Sequence, residues 1–149
     1  MLNDSQGNSN ADVLTTSPAN TMEAITVGAT DITDTRAFYS NYGLLVDVFA
    51  PGSNVTSAWT GGGYRTISGT SMATPNVAGL VAYFLPIIGA STSPAAMSNY
   101  IKQVSTKGAL RNIRELTFLP AAPFIFGLVL MILIALLTPN NLVFNNFIP

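Results

Sequence analysis

The fold of this chain is decided by one stretch, Ile67-Ser68-Gly69-Thr70-Ser71-Met72-Ala73-Thr74-Pro75-Asn76-Val77-Ala78-Gly79-Leu80. Gly69 permits a tight turn, and Thr70 can cap a helix that begins beside it. Apolar residues near helical spacing occur within and just after this stretch, namely Met72, Val77, Leu80, Val81 and Phe84. The stretch therefore predicts a glycine turn that delivers Ser71 onto the first turn of a helix.

Two prolines bear on the extent of this helix. Pro75 is compatible with the first turn, where its missing N–H would have had no partner. Pro86 is expected to end the helix near Leu85. At the positive end of such a helix, the Ser71 hydroxyl would lie where negative charge that develops during acyl transfer is stabilised. The alternative is a capped, buried helix in which the serine has no chemical role.

The run from Gly69 to Pro75, followed by Val77-Ala78-Gly79, resembles the nucleophile signature of the subtilisin-like serine proteases (subtilases, peptidase S8). The flanking sequence resembles their proteinase K-like branch. The resemblance implies an α/β fold, here the C-terminal part of the subtilisin-like three-layer fold, with an incomplete parallel sheet. It also implies peptide-bond hydrolysis through an acyl-enzyme, with Ser71 as nucleophile and no cofactor for catalysis. Asn76 stands where the family usually has a histidine, which is not its catalytic base.

A second motif lies near the start of the chain, where residues 6–12 resemble a family segment that ends in a Gly-Asn pair. In the family this asparagine donates a hydrogen bond to the oxyanion, so the resemblance gives that role to Asn8. Gly7 would let the backbone approach the substrate. Taken alone, Gly-Asn is also a common loop dipeptide. Residues 3–20 as a whole are rich in Asn, Ser, Thr and Asp, and they predict a surface loop without strand or helix.

Two apolar runs, Glu23–Ala29 and Leu44–Gly52, predict buried strands. Asp47 lies inside the second run, where a carboxylate needs a partner or a cation. By resemblance to the proteinase K-like branch, Asp47 would bind a structural calcium ion together with the backbone carbonyls of Met22 and Ala24. The alternative is an aspartate on an exposed strand face.

Two further elements are indicated by turn and cap residues. The run Gly61-Gly62-Gly63 predicts a hairpin turn, since no Lys-Ser or Lys-Thr follows it as in a phosphate-binding loop. Ser93-Pro94 predicts the capped start of a second helix, which is expected to end near Lys107-Gly108. The apolar face of that helix comprises Met97, Tyr100, Ile101 and Val104.

The last part of the chain has a different composition. No charged residue occurs from Leu116 to Pro149, and Phe124–Leu137 is continuously apolar. Residues 119–137 are long enough to cross a hydrocarbon layer of about 30 Å and predict a membrane span. Lys and Arg precede this run and none follows it, which would place the preceding domain in the cytosol.

Another interpretation is that residues 114–137 are an insertion, such as a translated intron. Residues 110–113 and 138–146 resemble the two sides of the family's C-terminal segment. The expected division is residues 1–113 as the C-terminal part of a peptidase S8 domain, 114–137 as the insertion or span, and 138–149 as the remnant of that segment.

Composition limits the function classes. The chain has 149 residues and a formal net charge of −1, and its six Lys and Arg are scattered, which argues against a nucleic-acid partner. It contains no cysteine, so it has neither disulfides nor thiolate metal sites. It also contains no histidine. The start, Met1-Leu2-Asn3-Asp4-Ser5, lacks the basic and apolar regions of a secretory signal.

The missing histidine limits the expected activity. A serine hydrolase needs a base and a carboxylate that orients it. In the family both lie N-terminal to the oxyanion asparagine, and neither Asp4 nor Asp12 is expected to replace them. We therefore expect a serine endopeptidase by family, acting on peptides or proteins and extracellular, whose activity is negligible in this chain alone. The alternative is a non-catalytic, membrane-anchored protein derived from a protease.

Overall fold

The described residues form seven strands, two helices and one 3-10 turn. The computed structural model describes residues 3–21, 24–89, 91–113 and 141–142. In chain order the elements are β1 (Asn3–Ser5), a 3-10 turn (Val13–Thr15), β2 (Ile25–Thr30), β3 (Val48–Pro51), β4 (Val55–Ala58), β5 (Tyr64–Ile67), α1 (Thr70–Ile88), α2 (Pro94–Val104), β6 (Thr106–Lys107) and β7 (Asn141–Leu142).

The main sheet has the strand order β1-β2-β3-β7-β6. Strands β1, β2, β3 and β7 pair in parallel, and β6 pairs antiparallel with β7. All six residues of β2 are buried, as expected for a parallel strand that is covered on both faces. The predicted α/β class with a parallel sheet is confirmed. The apolar tail lies outside the described residues, apart from β7.

Helix α1 packs against β1, β2 and β3 and forms the core with them. The core residues are Ile25, Val27, Ala29, Ala37, Val48, Ala50, Ala73, Val77, Met97 and Ile101. On α1 itself, only Thr70, Ala73 and Val77 are buried. Tyr83 is 48% exposed and Ile87 is 61% exposed. One side of α1 therefore covers the sheet, and apolar residues on its other side are partly exposed.

By length and composition alone, α1 would also qualify as a membrane-crossing helix. Core helices of soluble proteins meet the same criterion, and α1 contacts three strands of the sheet. The predicted span at residues 119–137 lies outside the described residues.

The prediction of a loop for residues 3–20 was wrong at two places. Asn3–Ser5 forms β1, with Asp4 opposite Thr26 of β2. Pairing with a neighbouring strand here overrides the low strand propensity of Asn, Asp and Ser. Val13–Thr15 forms a 3-10 turn, which the Asp12 side chain caps by accepting from the Leu14 N–H.

The start of α1 also differs from the prediction. Gly69 is the N-cap, and no side-chain cap bond forms there, so Thr70 is the first helical residue rather than the cap. Pro75 consequently lies in the second turn of α1 instead of the first. Met72 N–H donates to the Gly69 carbonyl at 3.0 Å, which closes the first turn.

The end of α1 differs as well, because the helix passes through Pro86 and ends at Ile88. A proline inside a helix removes one hydrogen bond and crowds the carbonyl four residues before it, so other contacts must compensate. Leu85 and Ile88 pack against the core, and Gly89 N–H donates to the Leu85 carbonyl at 3.1 Å. These contacts hold the extra turn.

Predictions from local turn and cap signals were more accurate. The hairpin at Gly61-Gly62-Gly63 is confirmed, since β4 and β5 pair antiparallel around three glycines with positive φ. The Ser93 cap is confirmed too, because its side chain accepts from Ala96 N–H. However, α2 ends at Val104 and not near Lys107, since Thr106–Lys107 leaves the helix and pairs with β7 as β6.

The two predicted strands exist, with different limits. Strand β2 begins at Ile25 and extends one residue beyond the predicted end, to Thr30. Strand β3 covers only Val48–Pro51, so Asp47 lies immediately before it.

The packing of α2 yields a test of the core. Ile101 is fully buried, whereas Val104 on the same helix is 44% exposed. We expect Ile101→Ala to lower the free energy of unfolding by about 2–5 kcal/mol, because it leaves a cavity against the sheet. Val104→Ala is the matched control and should change it by less than about 0.5 kcal/mol. Urea denaturation measures both, and equal effects of the two substitutions would contradict this placement of α2.

Candidate active site

Ser71 is the second residue of α1, and it is exposed at the N-terminus of the helix. The segment before it is fixed to the end of β3, since Gly69 N–H donates to the Gly52 carbonyl at 2.9 Å. The approach is close: a Cβ on Gly52 would lie 2.8 Å from the Gly69 oxygen and 2.7 Å from the Ala29 Cβ. This contact sets Ser71 beside the carboxyl end of β3, the edge where parallel sheets bind ligands.

Asn8 is tied directly to the residue before Ser71. Its Oδ1 accepts from the backbone N–H of Thr70 at 2.9 Å and from the Thr70 hydroxyl at 3.0 Å. Because Oδ1 only accepts, these bonds do not use the donor capacity of Nδ2. The structure thus brings together the two predicted catalytic positions, Asn8 and Ser71.

Gly7 has a φ of +97°, which favours glycine. A Cβ there would lie 2.7 Å from Asn41 Nδ2, so the position has no room for a side chain. The Gly7 carbonyl accepts from Asn41 N–H at 3.1 Å. The backbone conformation and the close contacts explain why a glycine stands at position 7. Its role in substrate binding stays a prediction.

Asn41 holds the loop that carries Asn8, and the sequence interpretation missed it. Its buried Oδ1 accepts from the N–H groups of Ser9 and Ala11, each at 3.0 Å. Its Nδ2 donates to the Gln6 carbonyl at 2.6 Å. One side chain therefore bonds backbone groups on both sides of Asn8. An asparagine between Ser40 and Tyr42 gives no local signal of this role.

Arg36 is a second buried residue that sequence reasoning missed. Its guanidinium donates to Asn10 Oδ1 at 3.1 Å and to the Asn112 carbonyl at 3.2 Å. A further bond goes to the Ser40 carbonyl. Arg36 thus connects the Asn8 loop to the segment that follows β6.

Asn76 occupies the position where the resemblance leads one to expect a histidine. Its Nδ2 donates to the Pro51 carbonyl at 3.0 Å and to the Met72 carbonyl at 3.2 Å. The side chain thus joins α1 to the end of β3. A structural role of this kind agrees with the expectation that this position is not the catalytic base.

No histidine exists anywhere in the 149 residues to accept the Ser71 proton. The two aspartates near the start of the chain lie in other structural elements. Asp12 caps the 3-10 turn, where its Oδ1 accepts from Leu14 N–H at 3.0 Å, and Asp4 lies in β1. Ser71 and Asn8 therefore lie together, and their roles as nucleophile and oxyanion donor stay predictions.

The predicted calcium ligands are only partly described. Met22 lies outside the described residues, and Ala24 precedes β2. Asp47 Oδ2 accepts from Thr26 N–H at 2.8 Å, and Asp47 Oδ1 lies 3.0 Å from Lys102 Nζ. A carboxylate that already holds an ammonium group does not fit a calcium site as it stands. The ligand set of Asp47, Met22 and Ala24 stays a prediction.

Comparison with known proteins assigns the chain to a family. A sequence model of the subtilase family, peptidase S8, matches residues 4–119. The chain belongs to the subtilase family. The resemblance to subtilisin-like proteases of the proteinase K-like branch is thereby confirmed.

Several fungal relatives of this subtilase chain are similar along most of its length. Alkaline serine protease ver112 of Corniculantispora psalliotae is 52% identical over 107 residues, which are 72% of this chain and 28% of the relative. Proteinase R of Parengyodontium album is 51% identical over 107 residues, which are 72% of this chain and 27% of the relative. The chain thus spans little more than a quarter of the length of these relatives.

A solved structure gives the same result for the fold of this subtilase chain. The crystal structure of a cold adapted subtilisin-like serine proteinase superposes with a TM-score of 0.71 at 44% sequence identity. The match covers 74% of this chain and 40% of that chain. The described residues therefore form part of a subtilisin-like fold.

The loop clamp at Asn41 can be tested directly. We expect Asn41→Ala to lower the free energy of unfolding by about 1–3 kcal/mol, because the buried Gln6 carbonyl loses its donor and the N–H groups of Ser9 and Ala11 lose their acceptor. Hydrogen exchange should accelerate at the amides of Ser9 and Ala11. Asn20→Ala, at an exposed loop position, is the control and should leave both amides protected. Unchanged exchange at Ser9 and Ala11 in Asn41→Ala would contradict the clamp.

Proposed function

We propose that this chain supplies the nucleophile and the oxyanion donor of a serine endopeptidase that hydrolyses peptide bonds in peptides or proteins. The observation that carries this is the bonding of Asn8 Oδ1 to Thr70, beside Ser71 at the start of α1. Ser71 Oγ would attack the scissile carbonyl and form the acyl-enzyme. Asn8 Nδ2 and the helix N-terminus would stabilise the oxyanion. This role assignment rests on the family and on that geometry.

The same reasoning implies negligible proteolysis by this chain alone. A serine hydroxyl needs a base that accepts its proton, and the sequence has no histidine. Even an intact serine protease without its triad members keeps only a residual rate of about 10³–10⁴ over water. The base and its orienting carboxylate would have to come from polypeptide outside this sequence.

Two surfaces support the need for such a polypeptide. Within the described residues, β1 has one neighbouring strand, β2, and its other edge is open. Within the same residues, the outer side of α1 carries exposed apolar side chains, including Ile87. The solved relative has further chain available for this purpose, since the match covers 40% of it. We propose that the part of a subtilase domain that carries the aspartate and histidine covers both surfaces.

The second candidate is a non-catalytic, membrane-anchored protein, which the apolar residues 119–137 favour. Sheet topology supports the protease instead. Strand β6 precedes the apolar run and β7 follows it, yet they pair with each other, with Thr106 opposite Leu142. A single membrane crossing between them would put the two strands on opposite sides of the bilayer. Location outside the cell, a calcium ion and the division at residues 113 and 137 stay predictions.

The catalytic proposal predicts how Ser71 reacts. A fluorophosphonate probe should not label the purified chain, because no base activates the hydroxyl. Addition of the amino-terminal part of the Proteinase R catalytic domain, followed by isolation of the complex, should produce labelling at Ser71. Ser71→Ala should abolish that labelling, and Ser91→Ala, at an exposed turn, should retain it.

Each failure of this experiment has a distinct meaning. Labelling of Ser71 in the chain alone would overturn the proposed inactivity. A complex that forms without labelling would overturn the catalytic assignment. The absence of any complex would overturn the proposed covering of β1 and α1.

The topology argument predicts the outcome of membrane fractionation. The full chain, expressed in cells, should be released from membranes by an alkaline carbonate wash. A variant without residues 119–137 is the matched control and should fractionate in the same way. Retention of the full chain in the washed membrane pellet, with release of the variant, would favour the membrane-anchored candidate.

A further inference from the structure

Asp47, immediately before β3, is fixed by its own backbone and side chain. Its N–H donates to the Thr26 carbonyl at 2.9 Å, and its Oδ2 accepts from the Thr26 N–H at 2.8 Å. The side chain is 18% exposed. The carboxylate therefore has one oxygen, Oδ2, bound to the sheet. This bond also sets the direction of the other oxygen, Oδ1.

Lys102 supplies the cation for that second oxygen. Its Nζ lies 3.0 Å from Asp47 Oδ1, and its side chain is 35% exposed. Lys102 is in the last turn of α2, next to the fully buried Ile101. Because Ile101 and Met97 anchor α2 in the core, the backbone of Lys102 is held in a fixed position near the carboxylate.

A second lysine makes the surroundings of this pair more positive. Lys107 Nζ donates to Ser105 Oγ at 3.0 Å and also to the Lys102 carbonyl. Burial lowers the pKa of Lys107, and the positive charge of Lys102 lowers it further. The two ammonium groups therefore repel each other. A divalent ion at Asp47 would meet this positive charge in addition to the lysine already in place.

We propose that the Lys102 ammonium is the resident counter-ion of Asp47 and takes the place that the family resemblance gives to calcium. The stability of the chain is then independent of calcium. Calcium reaches Asp47 only when Lys102 is removed, because both cations need the same oxygen. The inference rests on the contacts of Asp47 and is separate from the catalytic proposal.

Thermal unfolding with calcium or with EDTA tests this inference. The wild-type midpoint should differ by less than about 1 °C between the two conditions, since no ion binds the folded state. In Lys102→Met, the midpoint should rise with calcium by about 3–6 °C once the ion exceeds its dissociation constant tenfold. Lys102→Arg keeps a cation beside Asp47 and should stay insensitive to calcium.

Two controls assign the effect to this site. Arg65→Met removes one positive charge from the β4–β5 hairpin and should leave the chain insensitive to calcium. Asp47→Asn combined with Lys102→Met should lose the calcium response. Equal calcium stabilisation of wild type and Lys102→Met would overturn the proposal. A Lys102→Met variant without any calcium response would overturn it too, because Asp47 would then not bind calcium even without the lysine.

Discussion

The candidate active site depends on the two hydrogen bonds that Thr70 donates to Asn8 Oδ1. They join segments 62 residues apart, one a loop after β1 and the other the start of α1. An amide oxygen only accepts, so fixing Oδ1 also fixes the direction of the Nδ2 donor. The orientation has value only if both segments are rigid, because preorganised donors stabilise charge without the cost of rearrangement at the moment of reaction.

Each of the two segments has its own support. The loop is held by Asn41, which bonds backbone on both sides of Asn8, and by the buried Arg36. The start of α1 is held by Gly52 and Gly69, whose backbones approach too closely for a Cβ on Gly52. Ser71 and Asn8, the proposed nucleophile and oxyanion donor, are therefore both held by contacts within this chain. The sequence contains no histidine that could accept the proton of the Ser71 hydroxyl.

What the sequence predicted well is governed by neighbours along the chain. The Ser71 helix, the triple-glycine hairpin and the Ser93 cap each follow from a few consecutive residues. What it missed depends on distant partners. Strand β1 exists because β2 pairs with it, and Asn41 matters because the Asn8 loop lies 30 or more residues before it. The ion pair of Asp47 with Lys102 spans 55 residues, and no local pattern signals it.

Three features of the chain can be considered together: the absent histidine, the exposed apolar side of α1 and the open edge of β1. Within the described residues, α1 exposes apolar side chains on its outer side and β1 has one open edge, although β2 is buried on both faces. A membrane would cover apolar side chains but would leave the open β1 edge unpaired, and it would bring no base to Ser71. A protein segment can pair with the edge, cover the helix and carry a histidine together. The complementary subtilase segment that we propose would therefore account for three features, whereas a membrane would account for one.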